Sequence, residues 1–110
     1  MGFTTYEQFW PFYLGQHSKP RTRLIHFIGI FLAFGAIAMA VFTFEPGWLL
    51  GAPAIGYGFA WAAHMFVERN RPATFTYPLW SLRGDFHMFA LWLTGRLSEE
   101  LTRNRIHGRP

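Results

Sequence analysis

The sequence predicts an all-α, membrane-embedded helical bundle: a two-helix transmembrane hairpin over 24–67, with N- and C-terminal helices that lie in the interface or pack on the hairpin. Three observations carry this. Leu24–Phe44 and Gly47–Val67 are both apolar and uncharged, and each reaches the roughly 20 residues that a helix needs to cross a bilayer. Only Glu45 and Pro46 separate them, so the chain must fold back on itself. All ten Lys and Arg lie outside the hairpin, on the side of the two termini. By the positive-inside rule both termini are then cytoplasmic.

Composition narrows the class further. A chain of 110 residues is one domain, 1–110. It is 51% hydrophobic, and 15% of its residues are charged, against about 25% in a soluble domain. The absence of cysteine excludes a disulfide frame and a thiolate metal site. The net charge of +4 does not make a nucleic-acid binder, because the cations flank apolar segments and form no patch interleaved with exposed aromatics. The apolar stretch begins too late for a cleaved signal peptide.

In order along the chain, residues 3–14 put Phe3, Tyr6, Trp10, Tyr13 and Leu14 at helical spacing. Such a stripe suits an interfacial helix or one packed on the domain, and Pro11 should bend or restart it. Gly15–Arg23 is a basic loop holding His17, on position alone a solvated side chain. Gly29, Gly35, Gly51, Gly56 and Gly58 let the hairpin helices approach closely. Arg71–Pro78, with two prolines, reads as a turn or crossover. Leu79–Leu101 carries an apolar stripe of Leu82, Phe86, Phe89, Leu93, Leu97 and Leu101, interrupted by charges, as in a helix packed on the hairpin at its cytoplasmic face. Residues 102–110 form a basic tail, and His107 in it is expected to be solvated.

Two histidines stand out. His26 follows Arg23 by three residues, and His64 precedes Arg69 by five. At about 1.5 Å per residue they lie roughly 4–5 Å and 7–8 Å inside the membrane face. An antiparallel hairpin brings both to that face at nearly one level, and titratable groups in such segments mark function by default. Glu68 follows His64 by four residues and shares its helix face, as a carboxylate beside a ligand histidine or as the partner of an interfacial arginine. Asp85 and His87, two residues apart, point about 200° apart in a regular helix. Only one of them faces the site, unless a helix starts at Gly84 with Asp85 as its N-cap.

Three clusters then resemble a known family: Tyr13-Leu14-x-x-His17-x-x-Pro20-x-Thr22-Arg23-x-x-His26, His64-x-x-x-Glu68-x-x-x-Pro72-Ala73-Thr74-Phe75, and Ser81-Leu82-x-Gly84-Asp85-Phe86. Together they resemble domain-of-unknown-function family 962, the family of the fungal endoplasmic-reticulum 2-hydroxy fatty acid dioxygenase, in its short bacterial branch. The resemblance implies a membrane enzyme with Fe(II) on histidines, which shortens a 2-hydroxy fatty acid by one carbon with O2. His17, His26 and His64 fall on family histidines, and Asp85 on a Gly-Asp motif. Thr22 stands where the family pattern has Asn. Gln16 stands where the fungal enzymes have an additional histidine, which leaves the fourth ligand open, with His87 and Asp85 as the candidates.

The expected site therefore has His17, His26, His64 and His87 as metal ligands, and Asp85 and Glu68 as catalytic carboxylates. Arg23 and Arg69 would hold the substrate carboxylate at headgroup level. The expected partners are a lipid or fatty-acid substrate and O2, and the expected location is the bacterial inner membrane. Imidazole and carboxylate with open positions suit non-haem Fe(II). The competing readings are a non-enzymatic membrane scaffold and a zinc-dependent lipid hydrolase on the same ligands.

Overall fold

The structure, a computed structural model, describes residues 2–106. These are helical and contain no strand: α1 (Tyr6–Gly15), α2 (Pro20–Thr43), α3 (Gly47–Ala62), α4 (Pro78–Leu93) and α5 (Leu97–Arg103). A π-helical segment, Ala63–Glu68, continues α3, and a single 3-10 turn, Ala73–Phe75, precedes α4.

Thr5 starts α1, its hydroxyl accepting the Gln8 N–H at 3.2 Å. The helix runs through Pro11 without interruption, where the sequence suggests a bend or restart. Its stripe is buried: Phe9, Tyr13 and Leu14 completely, Tyr6 and Trp10 nearly so. They form the core with Phe27, Met88, Phe89 and Leu97. This helix is therefore a packing element. Truncating a core aromatic such as Phe9 to alanine costs about 3–5 kcal/mol.

Pro20 opens α2 at a position where its missing N–H costs nothing. Among the described residues α2 is the one helix long and apolar enough to cross a membrane, with mean hydropathy 2.4 and only 28% of its most apolar window buried. A core helix of a soluble protein would be mostly covered, whereas α2 turns Phe31, Val41 and Phe42 outward. Phe44, in the left-handed conformation, ends it.

α3 packs back along α2. A β-carbon at Gly29 would lie 2.6 Å from Cβ of Phe59, so only glycine permits this approach. The second apolar segment is, however, not one long α-helix. Its α winding stops at Ala62, and the wider π turn takes over until Arg69 caps it in the left-handed region, with the Asn70 N–H on the His64 carbonyl at 2.9 Å. The expected hairpin of two equal spans becomes one long apolar helix with a shorter partner.

α4 starts at Pro78, not at Gly84, so Asp85 lies inside the helix and caps nothing. Gly84 serves close approach instead: a β-carbon there would sit 3.0 Å from the Tyr13 ring. The stripe expected to run on to Leu101 breaks after Leu93, where Gly95 takes φ +74° and the Arg96 N–H reaches back to the Leu91 carbonyl at 2.8 Å. α5 then returns Leu97 and Leu101 to the core. It runs to Arg103, past the expected start of the tail. His107 lies outside the described residues.

Candidate metal centre

Four elements each deliver one buried group to a cluster, in which His64 adjoins His17 and lies outside the tighter trio of His17, His26 and Asp85. His17 comes from the loop after α1, His26 from α2, His64 from the π segment and Asp85 from α4. Their exposures are 1%, 3%, 3% and 9%. The His17 ring centroid lies 5.0 Å from that of His26 and 4.5 Å from that of His64, and the last two are 6.5 Å apart. One ligating atom each of His17, His26 and Asp85 falls within 4.8 Å of the others, so this group could bind a metal.

The hydrogen bonds around the cluster fix which ring nitrogens face it. His17 Nδ1 lies 2.8 Å from the Tyr13 carbonyl, which can only accept, so Nδ1 carries the proton and Nε2 the lone pair. The Asn70 amide nitrogen donates to the Gln16 carbonyl at 3.1 Å. That turns Asn70 Oδ1 toward His64 Nδ1, 2.7 Å away, and leaves His64 Nε2 unprotonated as well. The two Nε2 atoms are 3.0 Å apart. Two lone pairs at that distance repel unless a proton or a metal ion is shared between them. The proton is the poorer answer, since burial and then the neighbouring His26 and His64 push the His17 pKa well below its usual value. His26 gives its Nε2 proton to Asp85 Oδ1 at 2.8 Å, which leaves its lone pair on a buried Nδ1 that has no partner. This donor set fits a divalent metal, and it has the outer hydrogen bonds that orient ligand histidines.

Asp85 Oδ1 also accepts the Tyr13 hydroxyl at 2.5 Å. Burial and then the Asp85 charge keep that phenol protonated, far above the ordinary range. Asp85 thus ties α1, α2 and α4 together at the centre.

The remaining residues expected in the site lie elsewhere. Glu68 faces the loop: it accepts from the Ser18 hydroxyl at 2.5 Å, the Lys19 N–H at 3.1 Å and the Thr22 hydroxyl at 2.6 Å. It anchors the segment that carries His17, and touches neither His64 nor an arginine head. His87 is turned away from the cluster, stacked on Trp10 with centroids 3.8 Å apart and bonded to the Tyr6 hydroxyl at 3.0 Å. Arg23 gives Nη1 to the carbonyls of His17 and Ser18 at 2.8 and 2.9 Å, holding the same loop rather than a substrate. Arg69 caps the π segment and lines a separate surface cavity with Met65, Phe66, Asn70 and Arg71.

From His26 and Asp85 a cavity of about 300 Å³ runs along α2 past Ile30, Phe34 and Ile37, walled by Ala52 and Gly56 of α3 and by Leu82 and Phe86 of α4. The cluster thus sits at the polar end of an apolar groove. Sequence reasoning misses Tyr13 and Asn70 as supports. The four-residue step from Tyr13 to His17 is a visible signal for the first; nothing comparable marks Asn70.

A model of the Mpo1-like family, described as 2-hydroxy-palmitic acid dioxygenase Mpo1-like, matches residues 3–97. No curated protein and no solved structure matches the chain. The family match begins just before α1, ends at the first residue of α5 and takes in all four residues of the cluster, and on that extent the chain belongs to the Mpo1-like family.

Proposed function

We propose that the protein is a membrane-embedded, Fe(II)-dependent dioxygenase of the short bacterial branch of its family, which shortens a 2-hydroxy fatty acid by one carbon. One observation carries the reading. The Nε2 lone pairs of His17 and His64 face each other, and His26, whose buried Nδ1 has no partner, lines a largely apolar groove with Asp85. A metal answers the first half of that arrangement, and an amphiphile with one polar end answers the second. The family's description names a dioxygenase of 2-hydroxy-palmitic acid.

His17, His26 and His64 would hold the iron, with Asp85 as the fourth group. When bound, Fe(II) supplies the binding and reduction of dioxygen that no side chain here provides. The chain's own residues do the rest. Tyr13 and Asn70 hold the ring tautomers. Glu68 and Arg23 pin the loop that carries His17. Ile30, Phe34, Ile37 and Gly56 sheath the acyl tail and exclude water, each buried methylene being worth about 0.8 kcal/mol. The outward apolar side chains of α2, with α3 beside it, sit in the inner membrane and leave both termini cytoplasmic.

The test is metal analysis of protein purified without added metal, together with turnover of 2-hydroxyhexadecanoate. Near-stoichiometric iron, oxygen uptake and a product one carbon shorter are expected. Bound zinc with product formation under anoxia would make the protein a hydrolase. Failure to take up Fe(II) anaerobically would make it a scaffold.

A further inference from the structure

The groove has three polar linings, His26, Asp85 and Tyr57. Tyr57 stands on α3, half-buried, with its ring against Trp61 at 5.5 Å. The sequence has four tyrosines, and three have engaged hydroxyls. That of Tyr6 meets His87, that of Tyr13 meets Asp85, and that of Tyr77 accepts the Phe3 N–H. The Tyr57 hydroxyl makes no hydrogen bond among the described residues, and Tyr57 lines the groove that His26 and Asp85 also line.

An acid lying in this groove needs a donor for its carboxylate. No lysine or arginine lines it. Arg23 is committed to two loop carbonyls, and Arg69 lines a different cavity. His26 gives its Nε2 proton to Asp85. Asp85 already accepts from Tyr13 and His26, so as an acceptor it suits an alcohol and offers nothing to a carboxylate. The phenol of Tyr57 is the one uncommitted donor on the wall. The pair forms a donor beside an acceptor, the complement of a carboxylate beside an alcohol.

We propose that the Tyr57 hydroxyl binds the carboxylate of a fatty acid seated in this groove and so positions its 2-carbon beside Asp85. The proposal rests on the groove being the acyl site, as in the proposed function above. Tyr57 is a binding and positioning residue: its loss weakens capture of the acid and leaves the walls of the groove in place.

The experiment uses the full chain in detergent micelles, with displacement of a pyrene-labelled fatty acid by 2-hydroxyhexadecanoate, hexadecanoate or hexadecan-1-ol. Tyr57→Phe is expected to raise Kd for both acids about tenfold, the effect of losing one hydrogen bond to a charged group. Its Kd for the alcohol, which has no carboxylate, is expected to match wild type. In turnover, KM rises with little change in kcat. Wild-type affinity of Tyr57→Phe for both acids overturns the proposal. So does an equal loss for acids and alcohol, which would make Tyr57 a packing residue. If wild type binds none of the three compounds, the groove is not the acyl site and both readings fall. If wild type binds them and only the Tyr57 effect is missing, the proposed function stands and this inference alone fails.

Discussion

Replacing Gly84 by alanine sets two effects of similar size against each other. Helix α4 gains, because glycine inside a helix costs roughly 0.5–1 kcal/mol relative to alanine. Against this, the new β-carbon would lie 3.0 Å from Cδ2 and Cε2 of Tyr13 and 3.2 Å from Cγ. The ring has no room to yield. It is fully buried, stacked on Trp10 at 5.6 Å and against His17 at 4.2 Å, and its hydroxyl is tied to Asp85 at 2.5 Å. Overpacking of this kind costs about 1–3 kcal/mol. Turning the ring to escape would strain a hydrogen bond to a charged group, worth about 1.5–3 kcal/mol. Overpacking therefore wins, and Gly84→Ala should lose about 1–2 kcal/mol net. Gly35→Ala is the control, since a β-carbon there meets nothing within 4 Å. It should leave stability unchanged or raise it. Thermal unfolding of both variants in detergent, followed by circular dichroism, measures the difference, and Fe(II) titration reports the cluster. A Gly84→Ala variant that melts at or above the Gly35→Ala midpoint would refute the claim that Tyr13 is locked between α1 and α4.

Four further outcomes are expected. Asn70→Ala frees the His64 ring and should weaken Fe(II) binding by about 10–100-fold in competition titrations, the usual effect of losing an outer ligand support; unchanged affinity would remove Asn70 from the centre. Alanine at His17, His26 or His64 should abolish metal occupancy, whereas His87→Ala should keep it and only loosen the packing of α1 on α4; full iron in both His26→Ala and His64→Ala contradicts a shared site. Acid should release the loop: burial raises the Glu68 pKa, but hydrogen bonds from Ser18, Thr22 and Lys19 outweigh it and hold the group below 4.5. Its folded pKa being depressed, the stabilisation is full above the unfolded value and fades as pH falls through the folded one, so amide protection factors at Ser18–Thr22, taken against the intrinsic rate at each pH, should fall in acid and be low already at neutral pH in Glu68→Ala. A reporter fused after Pro110 should read as cytoplasmic, and an external reading would reverse the topology argued from the arginines.

What the sequence made legible follows from the range of the forces involved. Helix content and the long apolar segment rest on composition and local periodicity, which need no knowledge of neighbours. That His26 and His64 come to neighbouring positions, their ring centroids 6.5 Å apart, needed only a hairpin and the helical rise. Asp85 and His87 were separable in advance because an unbroken helix must send them to different faces. Pro78 decides that α4 is unbroken, since a helix already begun there has no second start at Gly84. Glu68 shows where such reasoning runs out. Its four-residue step from His64 says nothing of the loop, whose Ser18, Lys19 and Thr22 claim the carboxylate instead.

The supports of the site were the least legible part, for a physical reason. Tyr13 meets Asp85 across 72 residues, and Glu68 meets Thr22 across 46. Neither bond has a local pattern, because each depends on how α1 lies on α4 and how the loop lies on the π turn. Arg23 is a case of the same kind. A cation at headgroup level looks free to bind an anion until the carbonyls of a neighbouring loop are seen to occupy it. Buried carbonyls demand donors, and the basic loop His17–Lys19 draws its donor from the nearest arginine. The Arg23 charge is thus used to hold the loop that carries His17, which is why the acid's carboxylate is proposed to meet a neutral phenol on α3.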